Sequence, residues 1–261
     1  MILDKIAAKT KKRVKIDKAR LSLAQIKELA QAMPNKGNYP FRKALSSPTL
    51  SYICEIKRAS PSLGLISEDF DYLQIAKDYQ AAGAAAISCL TEPYYFQGND
   101  SYLQQIAQVV DIPVLRKDFI IDCYMIYQAK VIGASAILLI CAILDEKTLT
   151  EYIALADSLG LDSLVEAHDE IEIKMAINAG AKIIGINNRN LQTFTIDMNT
   201  SILLRNMVPE SILFVSESGI RNSYDIELLE ANGTDAVLIG ETLMREADKK
   251  AALAKLGGKQ L

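Results

Sequence analysis

Several apolar stretches of this sequence end in side chains that could do acid–base chemistry. In YICEIK (52–57), Glu55 and Lys57 are two residues apart, so a strand places both on one face. The same change from apolar to ionisable or amide residues occurs in VLRK (114–117), SLVE (163–166), IGIN (184–187) with Arg189 beyond it, and LFVSE (213–217). Groups of both signs at one place suit proton transfer better than passive binding.

The formal charges of these candidate groups cancel in pairs. The cations are Lys57, Lys117 and Arg189, and the anions are Glu55, Glu166 and Glu217. An anionic substrate would favour protonated lysines and would let at least one glutamate keep a proton for use as an acid. Burial pulls lysines towards neutrality, so their resting charge stays open.

The elements that position these groups repeat along the chain. A glycine that ends a helical stretch and opens an apolar run recurs at Gly83, Gly133, Gly180 and Gly233, with spacings of 50, 47 and 53 residues. Each interval contains one more strand candidate, at 112–117, 162–167 and 212–217. With a first strand near Ser51, the pattern predicts eight strand-plus-helix units.

Strands that alternate with helices favour a parallel sheet. AILLI (136–140) is apolar throughout, as burial on both faces requires. Eight such units that close on themselves form a (βα)8 TIM barrel, which is an α/β fold. An open doubly wound sheet is the alternative, but no glycine-rich dinucleotide motif follows the first strand.

Residues 1–46 precede the barrel that we expect over residues 47–261. This N-terminal helical extension contains a helical stretch at 23–33, which Pro34 and Gly37 interrupt. The extension either plugs the lower face of the barrel or folds over the open face and helps to bury substrate. The sequence leaves both alternatives open.

The loops after the last two predicted strands suggest a bound phosphate. They contain Ser218-Gly219-Ile220 and Gly240-Glu241-Thr242. Glycine lets backbone N–H groups approach an anion closely, and barrels of this type commonly hold phosphate at this place. Ser60, after the first strand, would add a hydroxyl group, although the glycines also suit tight turns. We therefore expect a phosphorylated substrate.

Composition narrows the class of protein. The chain has 261 residues, 50% of them hydrophobic, and a net charge of −3 from 29 basic and 32 acidic residues, so nucleic acid and anionic membrane surfaces are not expected partners. The basic run KTKKR (9–13) contains no aromatic residue and favours a solvated helical face.

The cysteines and the apolar runs indicate the compartment. Four well-separated cysteines without a C-x-x-C pair argue against a zinc or redox site, so no metal is expected, and they suit a reducing environment. The best apolar run, 136–144, is far shorter than a membrane span, and the N-terminus lacks the apolar core of a signal peptide. We expect a cytoplasmic protein.

Six motifs connect the chain with a known family. They are CEIKRASPS (54–62), LRKDFI (115–120), LVEAH (164–168), GINNR (185–189), SESGI (216–220) and LIGETLMR (238–245). In this order, and over nearly the full length, the sequence resembles indole-3-glycerol phosphate synthases. The first motif is highly specific, whereas the last two also fit other phosphate-binding barrels.

The resemblance implies a lyase of tryptophan biosynthesis. The family closes the indole ring of 1-(2-carboxyphenylamino)-1-deoxyribulose 5-phosphate with loss of carbon dioxide and water, and no cofactor is implied. Carried onto this chain, Lys117 is the general acid that protonates the substrate ketone. Glu166 stabilises the cationic intermediate and takes part in proton removal. Lys57 either binds the substrate carboxylate or gives a proton to the departing hydroxyl.

The resemblance also implies roles for the surrounding residues. Glu55, Glu217 and Asn187 orient the lysines and the substrate hydroxyls, and Arg189 meets the substrate carboxylate. Ser60, Gly219 and Gly240 hold the phosphate, with Ser218 and Glu241 beside them as further substrate-binding residues. Phe96 and Phe119 either stack on the aromatic ring or belong to the ordinary core. His168, the sole histidine, supports the site or packs at its rim.

Two other functions remain alternatives. A buried lysine with a lowered pKa could form a Schiff base in an aldolase that acts on a sugar phosphate. A phosphate-binding barrel without catalytic activity is the second alternative. The resemblance also leaves open a loose association with other tryptophan-pathway enzymes, and the oligomeric state is not readable from the sequence.

Overall fold

A closed barrel of eight parallel strands forms the centre of the molecule. The computed structural model describes residues 2–35 and 37–258. Each barrel strand pairs with the preceding and the following one, and the last pairs with the first. The strands are β1 (Ser51–Ile56), β4 (Ala86–Leu90), β5 (Val114–Lys117), β6 (Ala136–Ile140), β7 (Asp162–Ala167), β8 (Ile183–Asn187), β9 (Leu213–Glu217) and β10 (Ala236–Ile239). The predicted (βα)8 barrel is confirmed.

Helices alternate with these strands, and three helices precede them. A short antiparallel hairpin, β2 (Ala59–Ser60) and β3 (Gly64–Leu65), lies in the loop after β1. The helices are α1 (Ile2–Arg20), α2 (Leu23–Ala32), α3 (Pro40–Leu45), α4 (Tyr72–Ala81), α5 (Asp100–Val109), α6 (Cys123–Val131), α7 (Glu146–Ser158), α8 (Glu170–Asn178), α9 (Asn199–Leu204), α10 (Ser223–Ala231), α11 (Glu241–Arg245) and α12 (Lys249–Leu256).

Local signals in the sequence set many of the helix ends. Asp or Asn side chains accept backbone N–H bonds at the start of α4, α5, α6, α7, α8, α10 and α12. The four repeating glycines, Gly83, Gly133, Gly180 and Gly233, all have positive φ just after a helix. Because this conformation strains other residues, glycine turns the chain from helix to strand there.

The barrel has a packed interior and an outer apolar layer. Inward-facing residues such as Ile53, Leu115 and Val215 form one buried cluster, and the strand faces that meet the helices form a larger one. Burial on both faces explains the apolar strand sequences. Within residues 2–35 and 37–258, every helix is too short or too polar to span a lipid bilayer.

Helix α3 closes the amino ends of the strands. Phe41 and Leu45 are fully buried in the interior cluster. The backbone N–H of Arg42 donates to Asp162 Oδ2 at the start of β7, over 2.8 Å. The plug that the sequence allowed therefore exists, and α3 forms it.

Helix α1 lies at the opposite end, over the carboxyl ends of the strands. Ile2, Leu3 and Ile6 line the cavity there. The N-terminal extension therefore does both things that the sequence allowed: α3 plugs the lower face of the barrel, and α1 folds over the open face. The division of the chain at residue 46 stays a prediction.

The basic run of α1 is only partly a solvated face. Lys9, Lys11 and Lys12 are exposed, as predicted. Arg13 is an exception, because its guanidinium donates to both carboxylate oxygens of the buried Asp118, over 2.9 Å each. The prediction was wrong for Arg13 because the helical period places this residue next to the buried Thr10 and Val14.

The plug can be tested by shortening its largest side chain. Phe41→Ala leaves a cavity among the buried residues of the interior cluster, so we expect the free energy of unfolding to fall by about 3–5 kcal/mol. Urea unfolding measures the change. Leu203→Ala, at a side chain that is 74% exposed, is the matched control and should change stability by less than about 0.5 kcal/mol. Equal effects of the two substitutions would contradict the plug.

Candidate active site

A cavity at the carboxyl ends of the strands collects the ionisable residues that the sequence singled out. Its volume is about 130 Å³, and it adjoins a second cavity of about 500 Å³. Both cavities are lined by Glu55, Lys57, Arg189, Ser218 and Glu241. Other predicted site residues line the first cavity only: Ser60, Phe96, Lys117, Phe119, Glu166, Asn187 and Glu217. Gly219 and Gly240 line the second cavity. The structure thus brings all the predicted site residues together.

Lys117, the last residue of β5, is the centre of the charged group. Its Nζ donates to Glu166 Oε2 at the end of β7, over 3.3 Å, and to Glu217 Oε2 at the end of β9. Burial alone would lower the pKa of Lys117, but the carboxylates of Glu217, Glu166 and Glu55 outweigh it and raise that pKa. The ammonium form, left open by the sequence, is therefore the resting state.

A second ion pair lies beside this group. Lys57 Nζ donates to Glu55 Oε1 over 2.7 Å, and the hydroxyl of Ser88 on β4 donates to Glu55 Oε2 over 3.3 Å. Burial alone would raise the pKa of Glu55, but the cations Lys57 and Lys117 lower it by a larger amount, so the pKa lies below its ordinary value. A Cβ at Gly240 would lie 2.5 Å from Glu55 Oε1. Glycine at this position therefore makes room for the ion pair.

Glu217 differs from the other two glutamates in its protonation. Burial raises its pKa to about 7, although Lys117 opposes the shift. Its Oε1 has no hydrogen-bond partner within residues 2–35 and 37–258. A Cβ added at Gly185 on β8 would lie 2.3 Å from this oxygen, so glycine leaves space for it. Near neutral pH this carboxyl therefore carries a proton for part of the time.

Glu166 stays ionised because two cations flank it. Burial would raise its pKa, but Lys117 and His168 lower it to about 2. His168 Nε2 lies 3.4 Å from Glu166 Oε1, and its Nδ1 lies 2.9 Å from Glu172 Oε2 on α8. His168 thus contacts both Glu166 and Glu172, and Glu172 was not predicted.

Arg189 marks the polar end of the cavities. It reaches Ser62 Oγ and the carbonyl of Phe194, each at 3.4 Å, and Glu241 at 3.7 Å. These contacts are long, so the guanidinium has donors to spare for an anion.

The turn after β9 and the hydroxyl of Ser60 complete the polar end. Ser218 and Gly219 have φ of 69° and 90°. A Cβ at Gly219 would lie 2.6 Å from the side chain of Ile196, so only glycine fits this turn. Ser60 Oγ lies 3.4 Å from Ser62 Oγ.

Two phenylalanines form the apolar end. The rings of Phe96 and Phe119 have centroids 5.9 Å apart and line the cavity beside Ile6 of α1. Both rings are only partly buried. Of the two alternatives from the sequence, the structure therefore favours rings that face the cavity over ordinary core residues.

The buried carboxylate of Glu92 holds the loop that carries Phe96. Its oxygens accept the backbone N–H groups of Tyr94, Tyr95 and Phe96, over 2.6–3.1 Å. The sequence analysis did not single out Glu92. Its position two residues after β4, in line with the other charged strand ends, was the available signal.

A buried network connects α1 with the loop after β5. Asp118, next to Lys117, accepts from Arg13, from the hydroxyl of Thr91 over 2.6 Å, and from the N–H of Phe119 over 2.8 Å. Arg116 Nη2 lies 3.5 Å from the same carboxylate.

Among residues 2–35 and 37–258, no group of three or more His, Cys, Asp or Glu could hold a metal ion.

Solved structures with the same fold carry different names. A 3-hexulose-6-phosphate synthase superposes with a TM-score of 0.66 at 15% identity and covers 80% of this chain and 99% of that one. A mutant tryptophan synthase alpha-subunit from Pyrococcus furiosus has a TM-score of 0.61 at 16% identity, covering 80% and 98% of the two chains. At this identity the likeness shows the fold alone.

Sequence comparison is more specific. The family model "Indole-3-glycerol phosphate synthase" matches residues 3–256. A protein of that name from Ruminiclostridium cellulolyticum is 59% identical and covers 99% of both chains. Another, from Endomicrobium trichonymphae, is 53% identical and covers 98% of this chain and 99% of its own. The chain therefore belongs to the indole-3-glycerol phosphate synthase family.

Proposed function

We propose that this chain closes the indole ring of 1-(2-carboxyphenylamino)-1-deoxyribulose 5-phosphate, with loss of carbon dioxide and water. The chain would thus be a carboxy-lyase of tryptophan biosynthesis. One observation carries the proposal: the ammonium of Lys117 lies between Glu166 and Glu217 in a covered cavity with one polar and one apolar end. Membership of the family supports the same reaction.

Lys117 is the proposed general acid. Attack by an aromatic carbon that already bears a carboxyl group interrupts aromaticity and leaves alkoxide charge on the ketone oxygen. An ammonium beside that oxygen offsets the charge, and general acids typically contribute about 10²–10⁴-fold to the rate. The carboxylates around Lys117 keep it protonated, which the role requires.

The shape of the cavity fits the two ends of the substrate. Phe96 and Phe119 would contact the aromatic ring, and the second cavity, which Gly219, Gly240 and Ser218 line, would hold the phosphate. Arg189, whose present contacts are long, would meet the substrate carboxylate. Holding both ends of a flexible substrate in a reactive pose contributes strongly to catalysis.

Glu166 and Lys57 are the proposed groups for the later proton transfers. Glu166 is ionised and can stabilise a cationic intermediate and take up a proton. Lys57 is held by Glu55, next to both cavities, where it could bind the carboxylate or protonate the leaving hydroxyl. Glu55, Glu217 and Asn187 would orient these groups and the substrate hydroxyls.

The Schiff-base alternative is disfavoured by the charge state of the lysines. A nucleophilic amine must be neutral, whereas carboxylates raise the pKa of Lys117, and Lys57 is held in an ion pair.

Borohydride added together with the substrate should therefore give no covalent adduct of the protein, as measured by mass spectrometry. A non-catalytic barrel would show no turnover with the same substrate.

The wider setting of this activity stays predicted. The family acts on a phosphorylated small molecule. The absence of a cofactor, the cytoplasmic location, the lack of nucleic-acid or membrane partners, and a loose association with other tryptophan-pathway enzymes are expectations from the sequence.

Replacement of Lys117 tests the proposed acid. Lys117→Ala should lower kcat by about 10²–10⁴-fold because the alkoxide loses its proton donor. Lys117→Arg keeps the positive charge, but its guanidinium is too weak an acid. The kcat of this variant should therefore fall as well, while the binding of product is kept. Indole fluorescence follows turnover. Lys182 is exposed, so the control Lys182→Ala should keep the kcat of the wild type. If Lys117→Ala kept a kcat within a few-fold of wild type, Lys117 would not be the acid.

The raised pKa of Glu217 predicts a dependence of stability on pH. The pKa of Glu217 is about 7 in the folded state, against an ordinary value of 4.5. The protonated carboxyl therefore contributes stability to the fold that is fully present below pH 4.5 and is lost as pH rises through 7. Glu217→Gln stays neutral and should therefore become more stable than wild type as pH rises over this range. Urea midpoints at about pH 5 and about pH 8 measure the difference. The exposed Glu210 gives the control Glu210→Gln; a parallel shift in both variants would disprove the cause.

A further inference from the structure

We propose that His168 and Glu172 are positioning residues that hold the Glu166 carboxylate in its working orientation. The inference rests on the proposed function, because it assigns a task to residues behind a proposed catalytic group. His168 is not among the side chains that line either cavity at the site. Its effect must therefore act through Glu166.

A single carboxylate oxygen fixes the position of the imidazole. Glu172 Oε2 accepts the backbone N–H of His168 over 2.8 Å and faces His168 Nδ1 at 2.9 Å. Glu172 is itself fixed in the first turn of α8, where Asp169 Oδ1 accepts the N–H groups of Ile171 and Glu172, over 2.9 Å each. His168 is thus attached to the first turn of α8 at two points, by its backbone and by its ring.

The opposite edge of the ring, at Nε2, meets the carboxylate of Glu166. His168 Nε2 lies 3.4 Å from Glu166 Oε1, while Glu166 Oε2 faces Lys117 Nζ at 3.3 Å. Each oxygen of Glu166 therefore has its own cationic neighbour. Rotation of the carboxylate would break at least one of these contacts, so the arrangement selects one orientation.

The hydrogen bond between His168 Nδ1 and Glu172 determines which protonation state of the ring suits the 3.4 Å contact of Nε2 with Glu166. A carboxylate only accepts, so Nδ1 must donate to Glu172. A neutral ring would then direct the lone pair of Nε2 at Glu166 Oε1, which is repulsive. An imidazolium next to an ionised Glu166 removes the conflict, in agreement with a His168 pKa that Glu166 and Glu172 raise to about 10 against the effect of burial.

The surroundings of the ring supply the matching charge. Glu166 faces it from β7, and Glu172 and the exposed Asp169 lie at the start of α8. Cys141, which follows β6, contacts the carbonyl of Glu172 at 3.6 Å, and burial raises the pKa of its thiol to about 12, so it stays neutral. Lys117 lies on the far side of Glu166. Two carboxylates thus share one imidazolium.

The sole histidine gives a direct measurement that does not depend on turnover. In tag-free protein, NMR titration of the imidazole C2–H reports His168 alone. We expect His168 to titrate well above the ordinary 6.5, and Glu166→Gln and Glu172→Gln each to lower its pKa by about one unit or more. The matched control Glu170→Gln removes an exposed carboxylate from the same helix turn and should leave the titration unchanged. An ordinary titration of His168 in the wild type would overturn the proposal.

Kinetics test the positioning itself. His168→Ala should lower kcat by about 10-fold or more with a much smaller change in KM, because a misplaced carboxylate harms the chemical steps rather than binding. His168→Gln, whose amide can donate to Glu166 in place of Nε2, should recover most of the lost kcat. Full kcat in His168→Ala, or loss without recovery by glutamine, would overturn the proposal. A wild type that makes no indole product would refute the proposed function instead, and the NMR titration would still decide the geometry.

Discussion

The burial of the Lys117 ammonium is the constraint on which the site depends. Removing such a charge from water costs several kcal/mol unless opposite charges and hydrogen bonds compensate. Here the compensation comes from Glu55, Glu166 and Glu217, on three other strands. Parallel strands of a closed barrel bring their carboxyl ends to one place, so a carboxylate can meet a lysine nitrogen a hundred positions away in the chain. Gly185 and Gly240 leave the space that the carboxylates occupy.

Three carboxylates around one ammonium leave excess negative charge, and the structure balances it in three ways. Lys57 neutralises Glu55, His168 stands beside Glu166, and Glu217, with a pKa of about 7, is protonated for part of the time near neutral pH. The three glutamates are chemically alike in the sequence but differ in protonation because their neighbours differ. This separation is what acid–base chemistry needs, since one site then offers both a proton donor and a proton acceptor.

The sequence predicted the parts of this site that follow from periodicity. The alternation along β1 predicts one face for Glu55 and for Lys57, which directly follows the strand. Charged strand ends in a barrel must converge, so the central group was predictable. The partners that lie one layer further out were not. Ser88 and Glu172 are ordinary polar residues in strand and helix, and only the packing of neighbouring elements shows that they hold Glu55 and His168. Helix α1 posed a similar difficulty, because its many charged residues concealed the buried stripe through Leu3, Ile6, Thr10 and Val14.

The contact between Arg13 and Asp118 makes the cover of the site and its proposed acid parts of one unit. Asp118 is fully buried, and burial would raise its pKa, but Arg13 and Arg116 hold that pKa below the ordinary value. If α1 moved away, the carboxylate would lose the bidentate partner that stabilises its charge, while Ile6 would leave the cavity. Water could then reach Lys117 and weaken its attraction to the glutamates. The same helix therefore excludes water from the cavity and fixes the backbone from which the Lys117 side chain starts, so the cover of the site and the orientation of this lysine are kept or lost together.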